Sequence, residues 1–207
     1  MAGNVWFTSD LHLGHAKVAS IRGFDSPAEH DEALADMWRS TVRKEDSVWV
    51  LGDVTGSTAK GVVMRAVNFM AWLPGLKHLV LGNHDAAHPM YRDAHKRNEY
   101  HYGFHSVAMA ARRRIAGRNV LLSHFPYERD REETRHAQWR LRDEGLWLIH
   151  GHTHGTERVT ITPPIPGTEF IFAPAREVHV GLDAWGQRLV HLDEIAQLMA
   201  SAEGVAA

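Results

Sequence analysis

Five short apolar runs, each closing on side chains able to ligate a metal, constrain this chain more than any other feature. Val5-Trp6-Phe7 precedes Asp10 and His12, Val48-Trp49-Val50-Leu51 precedes Asp53, and Leu79-Val80-Leu81 precedes Asn83. Val120-Leu121-Leu122 precedes His124, and Leu146-Trp147-Leu148-Ile149 precedes His152 and His154. Unbroken apolar runs of this length read as strands buried on both faces, which need helices to cover them. From Asp10 through Asp53, Asn83 and His124 to His152 the gaps are 43, 30, 41 and 28 residues. Each is long enough for a helical crossover and return.

Helices are legible between the runs. Ser26-Pro27-Ala28-Glu29 reads as a capping box with proline at the first helical position, and Leu34, Met37, Trp38 and Val42 continue it as one apolar stripe. This helix is expected to end near Lys44. A second stripe, Val62, Val63, Ala66, Phe69, Met70 and Leu73, follows the candidate caps Ser57 and Thr58 and stops at Pro74-Gly75. The charged stretch Glu128 to Glu144 is expected to be helical over its later half, and Asp193 to Ala202 to form a terminal helix. Between His154 and Leu192 the pattern changes to period-two pairs, Val159 with Ile161, Phe170 with Phe172, and Val178 with Val180, separated by prolines. These predict short antiparallel strands. The reading is an α/β chain, one domain spanning 1–207, with a β-rich C-terminal third.

Composition narrows the chemistry. The 207 residues include no cysteine, which excludes an Fe–S cluster, a thiolate nucleophile and a Cys-based zinc finger. The 23 Lys and Arg against 25 Asp and Glu give a formal charge of −2, so no global positive field draws in long nucleic acid or an anionic membrane. With no long apolar segment, a cytoplasmic protein is expected. Histidine is abundant, at 16 copies.

Ligands in open α/β sheets bind beyond the carboxyl ends of strands, which is where the polar groups after the five runs gather. Asp10 with His12, and His152 with His154, are two residues apart, so each pair can project to one side of an extended backbone. Carboxylate, imidazole and amide oxygen without thiolate favour Mn²⁺, Fe²⁺ or Zn²⁺. The seven groups Asp10, His12, Asp53, Asn83, His124, His152 and His154 exceed one tetrahedral ion and suit two ions about 3.5–4 Å apart. Asp53, the only acidic group at its strand end, is the natural bridge.

In order, Ser9-Asp10-Leu11-His12, Gly52-Asp53, Gly82-Asn83-His84-Asp85, Ser123-His124 and Gly151-His152-Thr153-His154 resemble the signature of calcineurin-like metallophosphoesterases. Phe7 through His15 and the closing Val180-Gly181-Leu182-Asp183-Ala184-Trp185 are similar to a group of small phage and bacterial members. The resemblance implies a four-layer αββα sandwich. It implies one metal held by Asp10, His12, Asp53 and His154, and a second held by Asp53, Asn83, His124 and His152. It further implies in-line attack on phosphorus by a hydroxide bridging the two ions. His84 then acts as general acid or hydrogen-bond donor, with Asp85 orienting its ring.

Protein phosphatases of this superfamily carry Asp-Arg-Gly after the second block, where this chain has Gly56-Ser57-Thr58. The missing arginine argues against phosphoproteins and for a phosphodiester, with nucleoside 2′,3′-cyclic phosphates as the expected substrate. A phosphomonoesterase or nucleotide phosphatase of the same superfamily is the alternative. His15 and Arg22, on a loop after the first block, are the expected substrate-binding residues. His150 is expected to hydrogen-bond beside the ligands, and Arg112-Arg113-Arg114 to form a solvated edge or hairpin. The stretch Arg129 to Arg142, with Trp139, reads as an exposed helix or a lid.

A module of another class, binding metal or nucleic acid without catalysis, would need no His84 beside the ligands. A metallo-β-lactamase-type hydrolase lacks its His-x-His-x-Asp-His run here. The expected partner is therefore a small phosphodiester or nucleotide rather than a membrane, and a homodimer stays open.

Overall fold

A computed structural model describes residues 3–127, 135–162 and 175–205. The expected Phe170 and Phe172 pair lies outside the described residues. The first five-stranded sheet contains β1 (Val5–Thr8), β2 (Ser47–Val50), β3 (Leu76–Val80) and β4 (Ser106–Ala108), all parallel, with an antiparallel β10 (Val190–His191) beside β1. The second is ordered β5 (Ala111–Ile115), β6 (Arg118–Leu122), β7 (Trp147–His150), β9 (Ala175–His179) and β8 (Val159–Thr162). Its central strands β6, β7 and β9 are parallel, and its two edges are antiparallel.

All five apolar runs are strands, divided between two facing sheets rather than gathered in one. Alternation along β2 shows how. Val48 and Val50 pack on the helical side with Leu34, Trp38, Val63 and Met70. Trp49 and Leu51 turn the other way and meet Val120, Leu122, Ile149 and Val178 of the second sheet. Period-two side-chain direction therefore buries both faces of one strand, so the run is continuously apolar.

The helices covering the first sheet are α2 (Pro27–Thr41) and α3 (Lys60–Trp72), preceded by a short α1 (Ala16–Ile21). Ser26 Oγ accepts the Glu29 amide at 3.1 Å, and Glu29 Oε2 accepts the Asp25 amide at 3.0 Å, so the reciprocal bond of the cap reaches one residue further back than expected. Helix α2 stops at Thr41, short of Lys44, because Val42 is already extended. Neither Ser57 nor Thr58 caps α3; its N-cap is Ala59 without a side-chain bond. Burial of Trp38, whose indole N–H donates to Pro74 O at 3.0 Å, anchors α2; truncation of such a side chain costs about 3–5 kcal/mol.

Helix α4 (Leu192–Val205) places Ile195 and Met199 in the inter-sheet cluster. On the far face of the second sheet the described residues form a smaller cluster of Tyr127, Leu148 and Ala175, with Leu121 and Leu141 against it. This is a mixed α/β fold of two facing sheets and helices, as the metallophosphoesterase resemblance implies. Within the charged stretch, the described residues hold only a 3₁₀ turn, Ala137–Trp139, instead of the longer helix expected. Arg112 and Arg114 lie exposed on the edge strand β5, whose charge discourages further pairing. Among the described residues, no helix is long and apolar enough to cross a membrane.

Candidate functional site

The carboxyl ends of β1, β2 and β3 meet those of β6, β7 and β9. A backbone bridge joins Ser9 to Gly181, Asp10 N donates to Gly52 O at 3.0 Å, and Gly151 N donates to His124 O at 3.0 Å. Among the described residues, five of the eight non-glycine residues with positive φ are Asp10, His12, Asp53, His152 and His154. Left-handed backbone is costly for such residues and concentrates where a site over-determines it. The chain thus turns sharply after β1, β2 and β7 and throws those polar side chains into the junction.

Glycines make the junction close. A Cβ on Gly82 would sit 2.3 Å from Asp53 Oδ1, and one on Gly151 would sit 1.8 Å from Ser9 Oγ and 2.7 Å from Asp10 Oδ2. Only a residue without a side chain lets the backbone approach the carboxylates this way.

All seven side chains expected to ligate converge here, in two overlapping groups. In one, His12 Nε2 is 3.2 Å from His154 Nε2 and 3.8 Å from Asp53 Oδ2, and His154 Nε2 is 3.7 Å from Asp10 Oδ1. In the other, His124 Nε2 is 3.0 Å from Asn83 Oδ1, 3.2 Å from His152 Nδ1 and 3.5 Å from Asp53 Oδ2. Asp53 Oδ2 stands between the groups. Asp10 also reaches both, since its oxygen lies within 4.8 Å of ligand atoms of His12 and His154 and of Asp53 and His124.

The protonation pattern tests whether cations fit. His124 Nδ1 donates to Leu51 O at 2.7 Å, and His154 Nδ1 donates to Asp183 Oδ2 at 2.7 Å. His124, its pKa lowered by burial, then has a bare lone pair on Nε2, aimed at the oxygens of Asn83 and Asp53. The Asp183 bond raises the pKa of His154, whose Nε2 faces His12 and Asp10 and would give up its proton on binding a cation. Acceptors facing acceptors around His124 repel one another, and a divalent cation would convert the repulsion to ligation.

The electrostatics agree. Burial pushes His12 down to about 3, against the pull of Asp10, and burial likewise lowers His124. Both rings are thus neutral and fit to ligate. Burial and the charge of Asp10 drive Asp53 well above the usual carboxylate range. For Asp10 burial acts in the same sense, but positive charge on the surrounding histidines, His154 foremost in being raised by Asp183, outweighs it and holds the group low. Two buried carboxylates at this separation call for compensating positive charge.

His84 stands at the mouth. Its backbone N–H donates to Asp53 Oδ1 at 2.8 Å, its Nε2 is 4.0 Å from Asp53 Oδ2, and its side chain is 41% exposed. Burial, then His124 and His15, lower its pKa, leaving a neutral ring.

Asp85 does not orient the His84 ring. Its buried carboxylate accepts the backbone N–H of Gly82 at 2.8 Å, Asp53 at 2.9 Å and Val54 at 3.1 Å. It therefore ties the second and third strand-end loops together. Burial and Asp53 push it up to about 7, against these bonds.

Arg22 is also placed otherwise than expected. It follows helix α1, not a loop, and its side chain is 2% exposed. Its guanidinium donates to Asp183 Oδ1 and Oδ2 at 2.9 and 3.0 Å, to the carbonyls of Asp10 and Leu11 at 2.8 and 3.3 Å, and meets His30 Nε2 at 3.2 Å. These contacts occupy all five of its N–H groups, so none is left for a substrate. His15 remains beside the centre, its ring 5.6 Å from that of His12. As N-cap of α1 its Nδ1 accepts the Val18 amide at 3.2 Å, which leaves Nε2 as the protonated nitrogen.

Three contributors escaped sequence reasoning. Asp183 aims His154 and holds Arg22; its only sequence signal was membership of the closing block. Tyr91 Oη donates to Asn83 O at 2.6 Å and steadies that loop. His179 is buried and stacks on His150 with centroids 5.2 Å apart, while His150 Nδ1 bonds Gly151 O at 2.8 Å.

Comparison with known proteins follows the same line. Residues 4–165 match the family described as Calcineurin-like phosphoesterase superfamily domain. The chain is 48% identical over 206 residues to the Gene 66 protein of Mycobacterium phage L5, covering 95% of this chain and 94% of that one. It is 47% identical over 207 residues to the Gene 66 protein of Mycobacterium phage D29, covering 95% and 96%. A solved protein of unknown function from Aquifex aeolicus shares the fold, with a TM-score of 0.65 at 21% identity over 95% of this chain and 99% of that chain.

Proposed function

Because this chain belongs to the calcineurin-like phosphoesterase superfamily, whose hydrolases use a dinuclear metal centre, we propose that it is a metal-dependent phosphodiesterase acting on nucleoside 2′,3′-cyclic phosphates. The observation that supports the reading is the pair of ligand-type clusters, His12 with His154 and His124 with Asn83, on either side of Asp53. Asp10, His12, Asp53 and His154 would hold one ion, and Asp53, Asn83, His124 and His152 the other. The donor set suits Mn²⁺ or Fe²⁺, with Zn²⁺ also compatible. Two such ions lower the pKa of water from 15.7 toward about 7 and neutralise phosphate charge.

The chain's own groups do the rest. Asp53, fixed by the His84 amide and the loop that Asp85 ties, keeps the two clusters in register. His84, neutral and half-open to solvent, presents an N–H toward the oxygen on which charge develops, and the ring of His15, like that of His84, packs beside His12. Ser57 stands at the position where protein phosphatases carry the arginine of Asp-Arg-Gly, and Gly56 stands at that of the aspartate before it. A Cβ there would come within 2.1 Å of the His15 ring. The block after β2 thus supplies no arginine clamp, which favours a strained cyclic diester with a ribose leaving group over a phosphoprotein.

The test is hydrolysis of bis-p-nitrophenyl phosphate, 2′,3′-cAMP and 3′,5′-cAMP by chelator-treated protein with and without added Mn²⁺. Mn²⁺-restored cleavage with preference for 2′,3′-cAMP is expected. A strong preference for phosphomonoesters would overturn the substrate, and no hydrolysis under any metal would overturn the activity.

A further inference from the structure

With Arg22 sealed inside the fold, the candidate centre needs another cation for the phosphate, and the sequence block that supplies one in protein phosphatases is empty. We infer that Arg135 is the phosphate-binding arginine, held over the second cluster by His136 and reached from the opposite sheet. This rests on the phosphoesterase reading of the site.

Arg135 is exposed, and its Nε donates to His136 Nε2 at 3.1 Å. The His136 ring lies 5.5 Å from that of His152 and 5.2 Å from that of Phe125. Phe125 in turn is 5.0 Å from the rings of both His124 and His152. The arginine is therefore anchored through one ring to two of the residues that flank the proposed metal position. His136 has left-handed backbone, φ +58, and the turn behind it is closed by Trp139 N donating to His136 O at 2.9 Å and Arg140 Nη2 donating to Arg135 O at 2.9 Å.

His136 holds Arg135 Nε at 3.1 Å while its own ring lies 5.5 Å from that of His152, so the guanidinium sits beside the second cluster on the side of the second sheet. With Nε engaged by His136, Nη1 and Nη2 remain as donors, and paired N–H groups of this kind match two phosphate oxygens. An arginine coming from the segment after His124 does the work that a block-two arginine does elsewhere. Because it is exposed, it can meet substrate without a rearrangement of the core.

The experiment compares wild type with Arg135→Ala and Arg135→Lys, all loaded with Mn²⁺. Binding of inorganic phosphate is read by calorimetry, and bis-p-nitrophenyl phosphate kinetics, Mn²⁺ content and Tm are read alongside. Loss of the charge-assisted bonds should weaken phosphate binding and raise KM by about 10- to 100-fold, with metal content and Tm unchanged and Arg135→Lys intermediate. Phosphate affinity equal to wild type in Arg135→Ala overturns the inference. So does a lowered Tm with weakened metal binding that accounts for the loss, since that is the mark of a merely structural arginine. Wild-type protein that cleaves no ester yet loses phosphate binding on Arg135→Ala would keep the arginine's role and sink the phosphodiesterase reading alone.

Discussion

Replacing Asp183 by alanine separates two tasks performed by one carboxylate. Its Oδ2 accepts from His154 Nδ1 at 2.7 Å and Arg22 Nη2 at 3.0 Å, and its Oδ1 accepts from Arg22 Nε at 2.9 Å. The Arg22 side chain is 2% exposed and that of Asp183 20%, so Asp183→Ala strands a buried guanidinium. Breaking a buried pair in this way costs about 3–5 kcal/mol. Independently, removing the acceptor behind a ligating histidine weakens metal binding by about 10- to 100-fold, or about 1.4–2.8 kcal/mol. Adding Arg22→Met to Asp183→Ala removes the stranded charge while His154 still lacks its acceptor. Urea unfolding of metal-free wild type, both single variants and the double variant should then show a double loss smaller than the sum of the singles, by a coupling energy of about 0.5–3 kcal/mol. Mn²⁺ titration of the same four proteins should leave the double variant as weak as Asp183→Ala. Additive stability losses, or wild-type Mn²⁺ affinity in the double variant, would refute the argument that one carboxylate both neutralises Arg22 and aims His154.

The remaining predictions concern the centre and one remote anchor. Asp53→Ala should deplete both ions, and elemental analysis that still finds two metals per chain would rule out the shared ligand. His84→Ala should lower turnover by roughly 10²–10⁴-fold with metal content intact; unchanged turnover removes it from the chemistry. Asp46 accepts N–H groups from Asn4, Trp6 and Arg43 at 2.7, 3.1 and 3.0 Å. Burial opposes its ionisation, but the bonds from Arg43, Trp6 and Asn4 prevail and its pKa is lowered. A depressed folded-state pKa gives stability that is present above the unfolded value of about 3.9 and lost as pH falls through the folded one. Asp46→Asn should therefore flatten the acid limb of Tm against pH, and an unaltered slope would contradict this account.

Much of this architecture was legible in the chain. The continuous apolar runs marked β1, β2, β3, β6 and β7 because a strand buried on both faces has no polar alternate positions to lose. The Ser26-Pro27 start of α2 was equally plain, since capping is decided within four residues. Helix α1 and strands β4 and β5 were less visible: α1 spans six residues, β4 three, and β5 carries three consecutive arginines. Such elements lack the length or the periodicity that distinguishes them from loops.

The candidate ligands were readable for the same local reason, being polar groups set just past apolar strands at spacings that allow a crossover. What the sequence could not say was which charged side chains remain free to act. Arg22 follows the first block and looks available, yet Asp183, 161 residues away, consumes it. Asp85 neighbours His84 in the chain but spends its carboxylate on amides of its own loop and of the loop after β2. Arg135 sits in a stretch of mixed charge that reads as ordinary surface, and only its bond to His136, whose ring meets Phe125 and His152, sets it beside the centre. Residue type and spacing determine which groups arrive at the junction. Whether each arrives with its hydrogen-bonding capacity open or already satisfied depends on partners distant in the chain, and that was decided by tertiary packing alone.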